Sequence, residues 1–186
     1  MRKFILILTC LTLLLFVVSY VTFAENTVRV GVDTLGVLFT DYYYGFAYSN
    51  DTNPGISLGW EMINPVNEDI DIGPGVEWQF NRKATGAANG FSYLPVYGVI
   101  RYNLSKDDDL TIYLAGKLGY NFLFLENPGE TTANDGIYLG ASVGAIINKN
   151  IEFEALYSIC NGSISDSYSS VSFNYYKFSM ICGYKF

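Results

Sequence analysis

Residues 110–125 read LTIYLAGKLGYNFLFL. From Leu110 onward every second position is apolar or glycine, through Ile112, Leu114, Leu118, Tyr120 and Phe122 to Phe124. The positions between them hold Thr111, Lys117 and Asn121, the only strongly polar residues of the stretch. A period of two sustained this long, with no helical repeat beneath it, is a β-strand with two unlike faces. It is also well beyond the length of an ordinary strand.

The same pattern recurs on either side. Alternating segments are expected at 28–38, 56–63, 70–80, 93–104, 110–125, 137–147, 151–160 and 175–186, bounded by Gly, Asn, Asp, Pro and Ser clusters. The connections alternate in length: 39–55, 81–92, 126–136 and 161–174 are long, whereas 64–69, 105–109 and 148–150 are short. In an up-and-down meander this puts all the short turns at one end and all the long loops at the other, as in membrane-spanning barrels. No stretch after residue 24 has a helical period, so the chain is read as all-β: an eight-stranded antiparallel up-and-down transmembrane β-barrel, residues 25–186.

The distribution of charge decides which face is which. One face carries Val28, Val30 and Val32, then Ile56, Leu58, Trp60 and Met62, and continues in this way to Tyr184 and Phe186 without a charge. The other carries Arg29, Asp33, Glu61, Asp71, Glu77, Arg101, Lys117, Glu152, Glu154, Lys177 and Lys185, six acids and five bases. The interior of eight strands has room only for side chains to fill it. The large apolar set does not fit there; the smaller charge-balanced set does, as a lumen network. Trp60, Trp78, Tyr102 and Tyr120 are assigned to the aromatic girdle at the membrane interfaces.

The end of the chain, FSMICGYKF at 178–186, places Phe178, Met180, Cys182, Tyr184 and Phe186 two apart and closes on an aromatic residue. With SYLPVYGVIRYNL at 92–104, YLAGKLGYNF at 113–122 and LGASVGAIINKNIEFEALY at 139–157, it resembles the small outer-membrane β-barrel superfamily that includes the OmpA transmembrane domain, OmpX and the opacity proteins. The resemblance implies that the final strand is the assembly signal read by the outer-membrane insertion machinery. Pro74 and Pro95 depart from an ideal ladder, since proline donates no N–H, and mark bulges or strand ends.

Before the barrel stand Arg2 and Lys3, an apolar run from Phe4 to Val21, and Thr22-Phe23-Ala24 with small residues at −3 and −1. This is the pattern of a signal peptide helix over residues 1–24, cleaved on export. Its removal takes two bases and leaves nine against 18 acids, a balance that excludes nucleic-acid partners. The absence of histidine removes Ser-His-Asp chemistry, the common zinc sites and the barrel enzyme classes that use a His. The chain is therefore read as no enzyme, with no cofactor and no metal. Asp107-Asp108-Asp109 lacks the Gly and spaced Glu of a calcium loop and reads as a solvated turn.

The expected function is a closed structural scaffold in the cell outer membrane, serving envelope integrity, surface interaction or adhesion. Its partners would be outer-membrane lipid, the insertion machinery and an extracellular ligand met through loops 39–55, 81–92, 126–136 and 161–174; a monomer is expected. The charged loop residues Asp41, Asp51, Arg82, Lys83, Glu126, Glu130, Asp135 and Asp166 disfavour a polyanionic ligand. The competing readings are a narrow porin or channel for small hydrophobic solutes and a secreted lipocalin-like carrier.

Overall fold

The computed structural model describes residues 24–41, 47–87, 89–107, 109–126, 132–165 and 170–186. The expected signal peptide, all but Ala24, lies outside them. Ten strands follow in order: β1 (Glu25–Asp41), β2 (Ala47–Asp51), β3 (Gly55–Pro65), β4 (Ile70–Arg82), β5 (Phe91–Lys106), β6 (Leu110–Leu125), β7 (Thr132–Asn134), β8 (Gly136–Ile147), β9 (Ile151–Ser165) and β10 (Ser170–Lys185). They make eight staves, because β2 and β3 pair with successive parts of β1, and β7 and β8 with successive parts of β9. Each stave runs antiparallel to its neighbours, and β10 pairs with both β9 and β1, which closes the barrel.

The closure is staggered. Following hydrogen-bonded partners from Thr27 leads through Glu61, Gly75, Tyr97, Gly119, Tyr138, Cys160 and Tyr175 back to β1 at Leu38, 11 residues further along. One of the 11 is absorbed by the bulge between Asp33 and Leu35. A stagger of this size tilts eight strands by roughly 40° to the barrel axis.

The turn between β8 and β9, at the end that holds Glu25 and Phe186, is tight. Asn148 and Lys149 have φ of 49° and 66°, and Asn150 N–H donates to Ile147 O at 3.2 Å, a turn with two left-handed residues inside the three-residue connection between Ile147 and Ile151. At the opposite end the strands run past their expected limits: β1 reaches Asp41 and β9 and β10 extend to Ser165 and Ser170. Backbone pairing continues there after the apolar alternation has ended, which is why the alternation underestimated their length.

Both prolines lie inside continuous strands. Pro74 pairs with Gly98 on β5 while the β3 ladder lapses between Glu61↔Gly75 and Asn64↔Ile72. Pro95 pairs with Asn121 on β6 while the β4 ladder lapses between Val76↔Val96 and Gln79↔Tyr93. Each missing N–H thus interrupts one side only. The lapse at Pro74 has a consequence for Met62, assigned above to the outer face. Met62 stands opposite Pro74 and is buried, as are Ile63 and Asn64 beside it, so the strict alternation of β3 breaks there.

Elsewhere the wall has the expected polarity. Val28, Val30, Val32, Leu58, Leu118 and Phe153 are among the many large apolar side chains exposed on the outside. The buried core is the lumen itself. Its long-loop half is filled by rings: Phe91 meets Tyr93 and Tyr175 edge-on at 5.5 and 5.4 Å, and Tyr93 stacks on Tyr175 at 5.9 Å. Below these, Tyr97 leans on Tyr138 at 5.1 Å.

Candidate functional site

The lumen holds two groups of charges. Nearer the short turns, Glu61 on β3 is fully buried and accepts from Arg29 on β1, from Arg101 Nη2 on β5 at 2.6 Å and from Lys117 Nζ on β6 at 2.8 Å. The Tyr97 hydroxyl donates to the same carboxylate at 2.8 Å. From the far wall, Glu152 and Glu154 on β9 face the same cations. Arg29 reaches Glu154 at 2.5 Å, Arg101 reaches Glu152 at 3.1 Å and Lys117 reaches Glu154 at 2.7 Å. Tyr113 bridges the two glutamates at 2.9 and 2.8 Å, and its ring lies 4.6 Å beneath the Arg101 guanidinium. Three cations meet three carboxylates, so this group is neutral as a unit.

The second group lies higher. Asp33 accepts from Arg82 at 2.5 Å, from Lys177 at 3.2 Å and from the Ser179 hydroxyl at 2.7 Å. Lys177 also donates to Glu77 at 2.8 Å, and Gln79 donates to Glu77 at 3.0 Å. Two cations and two carboxylates again cancel.

Two glycines make these spans feasible. A Cβ on Gly55 would overlap the Arg82 guanidinium, which crosses β3 at that point and also donates to Ile56 O at 2.8 Å. A Cβ on Gly183 of β10 would crowd Thr27, Glu152 and Arg29, whose side chain passes over β10 on its way from β1 to β9.

Of the eleven expected lumen charges the structure brings nine together. Asp71 pairs instead with Lys106 at 3.6 Å and accepts from Asn103, and Lys185 pairs with Glu25 at 2.6 Å, both at the short-turn rim. Arg82, assigned above to a loop, belongs to the lumen and is almost fully buried. The reason is the register shift between Gln79 and Arg82, which reverses the in-out parity of the last residues of β4. Tyr97 and Tyr113 were not singled out at all. Their signal was an aromatic residue on the charged face, where alternation alone gives it no role.

Phe178, Met180, Cys182 and Tyr184 pair with Leu35, Val32, Val30 and Val28 along the closing seam. Phe186 continues it through reciprocal backbone bonds with Asn26 at 2.9 and 3.1 Å. Among the wall aromatics, Tyr102 pairs with Ile70 at the short-turn end of β4, Tyr120 with Ile137 near the long-loop end of β8. Trp60 is the central residue of β3, and Trp78 packs on Phe124 at 5.2 Å. Cys160, buried beside Gln79, and Cys182, exposed on the outer wall, are both free thiols. Among the described residues no group of three His, Cys, Asp or Glu side chains is arranged to hold a metal ion.

At the long-loop end, Glu126 accepts from Asn81 Nδ2 at 3.1 Å and from Gly90 N–H at 2.9 Å. These two bonds hold its carboxyl below the usual carboxylate range. A depressed value means that the docking of Asn81 and Gly90 on Glu126 is complete above the ordinary carboxylate range and fades as pH falls through the lowered value. Hydrogen exchange at the Gly90 amide is expected to be slow at neutral pH and to lose that protection in acid. Glu126→Gln should remove the pH dependence; protection that ignores both the acid and the variant would contradict the docking.

No family model matches the chain, and no curated protein matches it. Solved structures do. The chain is similar to Neisserial surface protein A, at 17% identity over 87% of this chain and 97% of that one, with a TM-score of 0.50. It is similar to the outer membrane protein OprG from Pseudomonas aeruginosa at 12% identity, over 88% and 96% of the two chains, with a TM-score of 0.56. The outer membrane protein AlkL, solved by solid-state NMR in lipid bilayers, matches at 11% identity over 88% and 90%, also with a TM-score of 0.56. At such identities the likeness is one of fold. This chain has the fold of the small eight-stranded outer-membrane β-barrels.

Proposed function

We propose that the protein is an integral outer-membrane scaffold: a barrel closed along its axis by its own side chains, presenting its long-loop end to the outside. The observation that carries this is the division of the wall, with an uncharged apolar exterior around the circumference and paired charges inside. Only a lipid surrounding makes such an exterior favourable, since a contiguous apolar surface of this extent is untenable in water. The same division opposes the lipocalin-like reading. Export of the chain by residues 1–24 and recognition of Phe178–Phe186 by the insertion machinery belong to this proposal. Binding to outside partners would fall to the long-loop end, which the barrel positions.

A non-catalytic role is supported by the lack of histidine and by the occupation of every carboxylate in the two lumen groups by a cation. The channel reading requires a continuous water path. Against it stand the ring layer of Phe91, Tyr93 and Tyr175 and the two ion-paired groups beneath it, which span the narrow bore in series. Purified protein in planar bilayers is expected to give no steady conductance. Unitary currents that change when Lys117 or Glu77 is neutralised would replace the scaffold with a channel.

A further inference from the structure

The outer wall carries one surface that the scaffold role leaves unexplained. After the Asp33–Leu35 bulge the parity of β1 reverses, so that Leu35, Val37 and Phe39 turn outward. Their partners on β10 are Phe178, Tyr176 and Asn174, and the partners of these on β9 are Tyr157, Ile159 and Asn161. Leu35, Val37, Phe39, Tyr157, Tyr176 and Phe178 line an open apolar groove of about 580 Å³, with Phe39 edge-on to Tyr176 at 5.3 Å. Lys177 contributes to its floor, but its ammonium points into the lumen at Asp33 and Glu77, so it lends the groove no charge.

Directly above, the outward positions change character within one row. Asn161 and Asn174 lie side by side and are hydrogen-bonded; next come Ser163 and Ser172, then Ser165 and Ser170. Asn134 on β7 extends the surface sideways by donating to Ser163 at 3.2 Å and to Ser165 at 3.0 Å. Among the described residues of these rows there is no cation. An apolar groove thus abuts a flat face of hydroxyls and amides that has donors and acceptors but no positive charge.

We infer that this surface binds an outer-leaflet glycolipid, its acyl chain in the groove and its uncharged sugar on the Ser/Asn face. The inference rests on the membrane placement proposed above. Continuity of the groove with the lipid-facing wall supplies the chain. The head group is selected by charge: sugar hydroxyls find partners on Asn174, Ser172 and Ser163, whereas a phosphate would meet no cation among the described residues of this face.

The test uses two detergents with the same alkyl chain, dodecyl maltoside and dodecylphosphocholine, offered together to the purified barrel. Native mass spectrometry reads the adducts that remain. Retention of the maltoside is expected to exceed that of the phosphocholine by roughly tenfold, the scale of one or two well-placed hydrogen bonds. Asn174→Val with Ser172→Val, which suits a strand, should equalise the two head groups. Val37→Trp should fill the groove and reduce both, with circular dichroism verifying that each variant is folded. Equal retention by the unaltered protein, or retention indifferent to Val37→Trp, would overturn the inference. A chain that stays soluble and monodisperse with no detergent would instead overturn the membrane placement itself.

Discussion

Glu61→Ala is expected to cost about 3–5 kcal/mol of folding free energy, the scale for removing one partner from a buried ion group. Among the described residues Glu61 is the single carboxylate that touches Arg29, Arg101 and Lys117 at once. Without it three cations face only Glu152 and Glu154, and the surplus charge sits in a bore with little water to screen it. Glu61→Gln preserves the shape and still accepts from Tyr97, so it separates charge from packing. Combining Glu61→Gln with Lys117→Met restores neutrality, and the pair should be less destabilised than the two single changes add up to. Urea titration in lipid vesicles, followed by tryptophan fluorescence, measures all four. A loss below 1 kcal/mol for Glu61→Ala, or strict additivity in the double variant, would mean that the lumen charges act independently and not as one network.

Leu118→Arg should cost about 2–4 kcal/mol, because a charge near the middle of the lipid-facing band is penalised most, and Leu110→Arg only about 0–1 kcal/mol near the interface. Both residues point outward from β6. Leu118 is 64% exposed at mid-strand between Gly98 and Leu139, and Leu110 is the first residue of the strand. The ratio between the two losses matters more than either one, since it reports depth. The same urea titration serves, and equal losses at the two positions would show that no apolar band surrounds the barrel at the height of Leu118.

Most of this architecture was legible in the sequence because a membrane barrel enforces period two with unusual strictness. An inward or outward error puts a charge in hydrocarbon, so the pattern from Leu110 to Phe124 has no exception. The reading lost accuracy where the ladder is irregular. Arg82 passed for a loop residue because the shift after Gln79 is invisible to a parity count. Leu35, Val37 and Phe39 turn outward for the same reason, after the bulge between Asp33 and Leu35. Met62 keeps the outward parity of its ladder with β1 yet is buried, opposite Pro74 where the ladder to the neighbouring strand lapses. The pairing scheme inside the lumen was beyond reach. Alternation shows that Glu61 and Glu154 face inward, but that they share Lys117 depends on the stagger of the closed barrel, which depends in turn on every register together.

The two lumen groups are each neutral, and this fixes where the molecule's electric field originates. Five bases and five acids cancel within the lumen, so the nine-unit excess of acid in residues 25–186 comes from the part of the sequence outside these two groups. With Arg82 withdrawn inside, the long-loop segments keep Lys83 as their one base against Asp41, Asp51, Glu126, Glu130, Asp135 and Asp166. The long-loop segments are thus acidic in sequence, while the charges of the lumen cancel. On the placement proposed above, their potential would repel approaching polyanions and shrink with ionic strength over a Debye length of about 8 Å at physiological salt.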